Sequence, residues 1–576
     1  MKLLFILILI AADAWSQPIP IAQARKLKAG TIVTVAGNVT VSKELGDLSF
    51  IQDRTGGIAI YSEAIAVSVV RGDSIVVTGK LSKFNGLLEI LSDSVRKIAG
   101  ATRLMAPKDI NLKQAADYEG QLVRVSSVLL KPPEHFFYPQ RAGIMVKGPD
   151  TLNYWIDGDT NIPGYSIPTS PVSITGVVGR FKDHCQLIPR SVDDLPGAGP
   201  PMVARNDNRV AIMNWNLEFL GASSKKYGAE YGPPNETLQV ANAGRLLTAL
   251  HPDIIALQEI SDDAAFRDLV RTLSGYEGRC SSRYSYSFDA SDNFPPQKLC
   301  FVYKMNTVKL IREKILFRKE YDEALPPATF ASGRLPYLLE AEVTSNGQTK
   351  RIFIINIHGK SGASPDDRTR RAFDARLLKD TLDEYYRDRN VIILGDLNDD
   401  LDVSIAGGRE SPYAPFVNDM SYRCISKQLS DNGWHSTISY DDVIDHQILS
   451  SALATGYVDG SAKIVNPFGL IERYGESTSD HLPVMSEFDF GSEVITEIVT
   501  PPPGLCVFPN PNGGEFQLVC PGNFEYRLIG STRACLENGS GFDHITSGML
   551  TNHPSGVYTL LITKGTRTHV VRLVKQ

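Results

Sequence analysis

Apolar and polar residues alternate through residues 31–37, 48–52, 57–61 and 74–79, with turn-forming residues between the runs. A period of two puts every second side chain on one face of an extended chain, so these segments read as half-buried strands. A similar succession returns at residues 120–125, 172–178 and 186–190. Short strands at such spacing suggest a small barrel, and two barrels in tandem are expected. Beyond residue 200 the pattern changes. Apolar runs at 209–218, 253–259, 351–360 and 390–398 each end in a polar cluster, and stretches of helical period lie between them. One helix is expected at 236–250 with Leu246, Leu247 and Leu250 inward. Another, between the last two runs, carries Phe373, Leu377, Leu378, Leu382 and Tyr385. Strands alternating with helices imply an α/β layered fold, in which strand ends converge and can share one cleft. Strand-like runs resume at 556–562 and 570–575.

Two Pro/Gly-rich stretches, 195–201 and 500–504, can sustain neither a helix nor a central strand and read as linkers. The expected division is 17–105 and 106–197 for the barrels, 205–490 for the α/β segment and 505–576 for a small β-domain. Ahead of them, Met1-Lys2 is followed by a run from 3 to 12 that is almost entirely apolar and then by Ala14-Trp15-Ser16, a small-x-small pattern suited to signal peptidase. Residues 1–16 are therefore expected to be a cleaved signal, since the run is shorter than the roughly 18 residues a spanning helix needs.

Composition refines this picture in three ways. Hydrophobic residues make up 42% and charged residues 22% of the 576, which excludes a disordered or fibrous chain. The net charge of −6 provides no global attraction to a polyanion, so any nucleic-acid affinity must come from local patches or metal ions. The seven cysteines show no CxxC spacing, which argues against a structural zinc. Export permits disulfides, and Cys280 and Cys300 flank a polar segment that a bridge between them would close.

The polar clusters hold Asn216 with Glu218, then Glu259, His358, Asp396 with Asn398, Asp445 with His446, and Asp480 with His481. Carboxylate and amide oxygens suit a hard divalent cation, and Mg²⁺ takes few carboxylates while phosphate and water fill its other positions. Nearby histidines can donate to phosphate oxygens, and a carboxylate held by amides can accept a proton from attacking water. Together these groups suit phosphodiester hydrolysis.

The order of the clusters resembles the endonuclease/exonuclease/phosphatase superfamily, which includes deoxyribonuclease I, exonuclease III, inositol polyphosphate phosphatases and bacterial sphingomyelinases. The motifs are Trp-Asn at 215–216, Leu-Gln-Glu at 257–259, Asn-x-His at 356–358, Gly-Asp-x-Asn at 395–398, Ile-Asp-His at 444–446 and Ser-Asp-His-x-Pro at 479–483. The resemblance implies a four-layer α/β/β/α sandwich. It also implies Mg²⁺ (or Mn²⁺ or Ca²⁺) on Glu259, Asn216 and Asp480, and Asp396 as the base. Asn398 would orient phosphate, His358 would grip it, and His481, paired with Asp480 or a nearby carboxylate, would stabilise charge or protonate the leaving oxygen. Asp445 would orient a catalytic histidine, and Arg334 and Lys360 would contact phosphate. His446 is expected beside the site and Trp215 in the core. His358 is similar to the histidine of the deoxyribonuclease and sphingomyelinase branches, where exonuclease III has tyrosine, which disfavours abasic-site repair.

The phrase at 50–61, with Phe-Asn-Gly-Leu-Leu-Glu at 84–89, resembles OB-fold modules beside secreted nucleases, and the tail from 506 resembles the β-sandwich sorting domain of type IX secretion. These resemblances imply export through an outer-membrane machine and an extracellular or cell-surface location. The expected activity is a Mg²⁺-dependent nuclease acting on DNA, RNA or both. The alternatives are a phospholipid phosphodiesterase or phosphatase with the same machinery, and a non-catalytic binding protein, which the intact residue set opposes.

Overall fold

The computed structural model describes residues 17–131, 135–199, 209–284, 294–490, 504–530, 535–547, 550–564 and 567–576. The expected signal at 1–16, parts of both Pro/Gly stretches and residues 285–293 of the polar insertion lie outside the described residues. Those up to 490 form one compact unit and those from 504 another, so the stretch at 195–201 does not separate compact bodies. Among the described residues no helix is long and apolar enough to cross a membrane.

Strands β1 (Ile32–Val41), β2 (Leu48–Gln52), β3 (Gly57–Tyr61), β4 (Asp73–Phe84) and β5 (Leu87–Thr102) close into a barrel in the order β1-β2-β3-β5-β4, with β3 parallel to β5. Alternate residues Val33 and Val35, Ile58 and Ile60, and Ile75 and Val77 fill its interior. The strands β6 (Lys108–Asp109), β7 (Leu122–Lys131), β8 (Arg141–Lys147), β9 (Asp150–Ile156), β10 (Val172–Phe181) and β11 (His184–Ile188) follow. Five of them repeat the plan: β7-β8-β9-β11-β10, closed by β10 on β7, with β9 parallel to β11. The barrels meet through backbone. A Cβ on Gly57 would lie 2.0 Å from the Gly120 carbonyl oxygen, and the Leu122 amide donates to Gln52 Oε1 at 2.9 Å. Beside this contact Arg25 and Arg180 both reach Glu119, at 2.8 and 2.6 Å. Burial alone would raise that carboxyl, but the two guanidiniums hold it below the ordinary value.

The second barrel also anchors in the α/β segment. Phe136 and Tyr138, 3% exposed, belong to the core formed by helix Glu236–Leu250 of that segment. The Tyr138 hydroxyl donates to the His435 carbonyl at 3.0 Å, and the two rings lie 3.7 Å apart. An ion pair between Arg141 and Asp441 flanks the contact.

The α/β segment holds two six-stranded sheets. The first comprises β12 (Val210–Leu220), β13 (Ile254–Ile260), β14 (Tyr276–Cys280), β15 (Lys298–Lys304), β22 (Lys463–Ile464) and β23 (Val484–Phe488), ordered β14-β15-β13-β12-β23-β22. The second comprises β16 (Val308–Ile315), β17 (Tyr337–Ser345), β18 (Gln348–His358), β19 (Asn390–Asp396), β20 (Tyr422–Cys424) and β21 (Asp445–Ser450), ordered β16-β17-β18-β19-β21-β20. Ile212, Ile254 and Phe301 of the first pack on Leu339, Ile354 and Ile392 of the second. The outer face of the first meets helices Glu236–Leu250 and Asp263–Arg271, and the outer face of the second meets helix Pro365–Tyr385.

Leu246, Leu247 and Leu250 face inward as expected. The later helix buries only part of its apolar set. Leu378 and Leu382 are buried, but Phe373 is 47% and Tyr385 67% exposed, because Arg371, Asp374 and Ala375 occupy the inner face. The fully buried Arg371 guanidinium grips Asp399 at 2.7 Å, so a charged residue takes a place that hydrophobic periodicity assigns to an apolar one.

Cys280 and Cys300 form a disulfide between directly opposed residues of β14 and β15. In the second unit β24 (Cys506–Phe508), β25 (Phe516–Ile529), β26 (Cys535–Ser547), β27 (Gly556–Lys564) and β28 (Arg567–Lys575) form one hydrogen-bonded sheet over a core of Phe516, Leu518, Leu560, Ile562 and Leu573.

Candidate active site

Strand register gathers the polar clusters. β18 and β19 run parallel with His358 opposite Asp396, and antiparallel β21 places Asp445 on the other side of Asp396. In the first sheet β12 and β13 are parallel, with Asn216 opposite Gln258, while β23 returns antiparallel to β12 and so brings residues 479–481 to the same end. Buried amides join the sheets beneath this end. Asn214 Nδ2 donates to the Gly395 carbonyl at 3.3 Å, Gln258 Nε2 to Asn356 Oδ1 at 2.7 Å, and Gln447 Nε2 to Asn214 Oδ1 at 3.0 Å. Polar groups between two sheets are tolerable because they are paired, and the pairing locks one sheet to the other.

Gly395, immediately before Asp396, has φ +139°, and a Cβ there would meet the Ile357 carbonyl oxygen at 2.0 Å. Gly395→Ala is expected to destabilise the fold by about 1–3 kcal/mol through backbone strain. Urea unfolding checks this, and an unchanged midpoint would refute the close-approach argument.

Asp396 is 1% exposed. Asn216 Nδ2 donates to its Oδ2 at 3.0 Å, and Asn398 contributes its backbone amide to Oδ1 at 2.8 Å and its Nδ2 to Oδ2 at 3.1 Å. Burial, reinforced by Asp445, pushes the Asp396 carboxyl up to about 7. The two nearby histidines sit in opposite states. Burial, with help from Arg334 and His481, drives His358 well below the ordinary imidazole value, so it is neutral. Its Nε2 lies 3.3 Å from Asp396 Oδ2 and 3.7 Å from Glu259 Oε1. Burial also opposes charge on His481, but Asp445, Asp480 and Asp396 outweigh it and hold that ring protonated. His481 Nδ1 is 2.8 Å from Asp445 Oδ2, which also accepts from Ser436 Oγ at 2.8 Å. Its Nε2 is 3.9 Å from Asp396 and 4.0 Å from Asp480.

A second group of acids adjoins this one. Glu218 Oε2 accepts from the Asp480 amide at 2.9 Å, and Glu259 Oε2 from the Phe219 amide at 3.1 Å. Burial, then repulsion from Asp480 and Glu259, raises Glu218 to about 8. Burial raises Glu259 as well, with a further contribution from Asp480. Glu218, Phe219 and Glu259 all have left-handed backbones, with φ of +41°, +52° and +57°. Such conformations cost non-glycine residues about 1–3 kcal/mol each and persist where surrounding structure imposes them. Crowded hard oxygen donors suit a cation such as Mg²⁺, which would relieve their repulsion. Asp396, Asp445 and His481 also bring possible ligand atoms within 4.8 Å of one another. A protonated imidazole has no lone pair to give a cation, and within this trio His481 is hydrogen-bonded to Asp445 alone, with Asp396 3.9 Å from its other nitrogen.

Residues 213–481 match the model of the Endonuclease/Exonuclease/phosphatase family. This segment is an endonuclease/exonuclease/phosphatase domain. The chain is also 29% identical over 181 residues to Endonuclease YhcR of Bacillus subtilis (strain 168), a match covering 28% of this chain and 14% of that protein's length. Two similar solved structures are D. rerio TDP2 humanized by 14 mutations and an endonuclease/exonuclease/phosphatase from Beutenbergia cavernae. The first is 19% identical with TM-score 0.34, covering 49% of this chain and 100% of that one. The second is 15% identical with TM-score 0.37, covering 63% and 100%.

Within the endonuclease/exonuclease/phosphatase domain, two residues expected at phosphate are occupied with protein groups. Arg334 is 7% exposed, donates Nε to the His358 carbonyl at 3.0 Å and NH2 to that of Gly359 at 2.8 Å, and also contacts Gln297. It therefore braces the turn bearing His358. Lys360 pairs with Asp367 at 3.0 Å. His446 is fully buried between Ser426 Oγ and the Val443 carbonyl, and Trp215 is fully buried, donating to the His481 carbonyl at 3.3 Å. Sequence reasoning placed Glu218 at a strand end but gave it no role, and it missed Gln239. Buried on helix Glu236–Leu250, Gln239 donates to the carbonyls of Leu217, Glu218 and Thr478, holding the Glu218 and Asp480 segments together. Its position four residues after the helix-capping Asn235 is the cue that the sequence carries.

Proposed function

We propose that the protein is an exported, Mg²⁺-dependent phosphodiesterase that cleaves nucleic acid. The observation that carries this reading is a buried carboxylate, Asp396, flanked by a neutral and a protonated histidine beside a crowded acid cluster. The match to an endonuclease supports nucleic acid as the substrate. Glu218, Glu259 and Asp480, with the Asn216 amide, would hold Mg²⁺, with Mn²⁺ or Ca²⁺ as alternatives. The ion would neutralise charge on the phosphoryl oxygens.

Asp396 takes the proton of the attacking water as its oxygen bonds to phosphorus, while Asn216 and Asn398 orient the carboxylate. His481 gives its Nε2 proton to the oxygen that departs, and Asp445 fixes the imidazole and stabilises its charge. His358 donates from Nε2 to a non-bridging oxygen, with Arg334 positioning its backbone. The two sheets, each backed by helices, support the four-layer sandwich. The strand order shared by the barrels supports an OB-fold reading for both. The signal-like start and the tail motif support export by a type IX system.

The test is incubation of purified protein with plasmid DNA, RNA, sphingomyelin and a phosphate monoester, with Mg²⁺ or chelator. Metal-dependent cleavage of DNA or RNA is expected. Hydrolysis of lipid or monoester alone would overturn the nuclease reading.

A further inference from the structure

Three half-buried rings gather at the rim of the acid cluster. Phe219 follows Glu218 and gives its amide to Glu259, Tyr231 lies on the next loop, and Phe294 stands just before β15. Their centroids form a triangle, 5.7 Å from Phe219 to Tyr231, 5.6 Å from Phe219 to Phe294 and 5.2 Å from Tyr231 to Phe294, with the planes steeply inclined. The arrangement is built in. Gly232 lies so close beneath Phe219 that a Cβ would meet the Glu218 carbonyl oxygen at 2.3 Å, which ties the Tyr231 loop to the metal-side strand end. Phe219 itself holds its left-handed backbone at φ +52°. The preceding short helix Ser224–Tyr227 carries exposed Lys225 and Lys226; Lys226 Nζ sits 4.9 Å above the Tyr227 ring and 3.9 Å from Asp262, and the Tyr227 ring lies 6.5 Å from that of Tyr231.

We propose that this aromatic and lysine cluster is a subsite that stacks an unpaired nucleobase next to the scissile phosphate, with Lys225 and Lys226 meeting the neighbouring backbone phosphate. The proposal rests on the nuclease reading and extends it to single-stranded substrate. Ring faces beside cationic side chains are what a flexible strand uses, since every base has a π-face and every linkage a charge. A duplex hides its base faces by stacking and offers no such surface. The local lysines also supply the attraction that a chain of net charge −6 lacks overall. An acyl chain would gain nothing from the lysines.

The experiment measures binding of a short fluorescent oligothymidylate by anisotropy, in chelator so that no cleavage occurs, and then KM and kcat with Mg²⁺. Tyr231→Ala is expected to weaken binding about 5- to 100-fold and raise KM by a similar factor with little change in kcat. An oligomer carrying an abasic residue at that position should bind wild type as weakly as the intact oligomer binds the variant. Lys225→Ala with Lys226→Ala should flatten the salt dependence. Tyr231→Leu, which keeps apolar volume, serves if thermal unfolding shows Tyr231→Ala to be unstable. Unchanged binding by the stable Tyr231 variant, with nucleic acid still cleaved, would overturn the subsite alone. If wild type cleaves other phosphodiesters but neither binds nor cuts nucleic acid, both the subsite and the nuclease reading fall.

Discussion

Asp396→Asn is expected to leave the protein folded and to lower kcat for phosphoester hydrolysis by about 10²- to 10⁴-fold, with KM little changed. The substitution keeps the shape of a side chain that is 1% exposed, yet removes its ability to accept the proton of water. Folding should survive, because burial already raises this carboxyl to about 7, so the native state gains nothing from its charge. The amide oxygen can take the place of Oδ2 toward the Nδ2 groups of Asn216 and Asn398, while the Asn398 backbone N–H loses Oδ1 as its acceptor, a cost of about 1–3 kcal/mol. Steady-state kinetics with circular dichroism as the folding control make the measurement. Full hydrolysis by a folded Asp396→Asn protein would remove the base assignment.

Tyr138→Ala should cost about 3–5 kcal/mol of stability, as truncation of a large buried aromatic does. Tyr138 stacks on Phe136 at 4.6 Å, meets the Phe468 ring edge-on at 5.9 Å and covers His435, so its loss opens the joint between the second barrel and the α/β domain. Urea unfolding would show the loss, and a change below about 1 kcal/mol would mean that the joint is not a stability determinant. The joint also has a pH signature. Burial, aided by Arg141, pulls His435 down to about 3, against about 6.5 in the unfolded chain. The unfolded state therefore binds the proton first. The stability is intact above pH 6.5 and falls by about 1.4 kcal/mol per pH unit as pH drops toward 3. Tyr138→Ala, by admitting water to His435, should make that acid dependence shallower. For the same reason, removing residues 17–200 would strip apolar cover from the catalytic domain as well as delete an accessory module.

Legibility in the sequence followed the strength of local pattern. β2, β3 and the helix Glu236–Leu250 stand at the expected bounds because their periodicity is undisturbed. β8 and β9 went unread among turn-forming residues, and β5 runs to Thr102 through a polar, exposed second half. The helix Pro365–Tyr385 was found, but nothing local reveals that Arg371 on its inner face is buried against Asp399. The site residues were legible as ordered motifs, and strand register explains why they meet. Their couplings were not. Glu218 reaches Asp480 across 262 residues, and Tyr138 reaches His435 across 297, contacts that only tertiary packing defines.

The rung formed by His358, Asp396 and Asp445 also sets where this domain tolerates insertions and deletions. Adding or removing one residue inside β18, β19 or the start of β21 would turn the affected side chain to the opposite face of the sheet and silence the chemistry. The connections between those strands, residues 359–389 and 397–444, join them outside the rung, and within them Asn398 and Ser436 hold the carboxylates of Asp396 and Asp445 directly, so their exposed points away from these two residues are the free ones. Variation in length should accumulate there, and grafted recognition loops placed at exposed points of these connections could retarget cleavage while leaving the hydrolytic apparatus untouched.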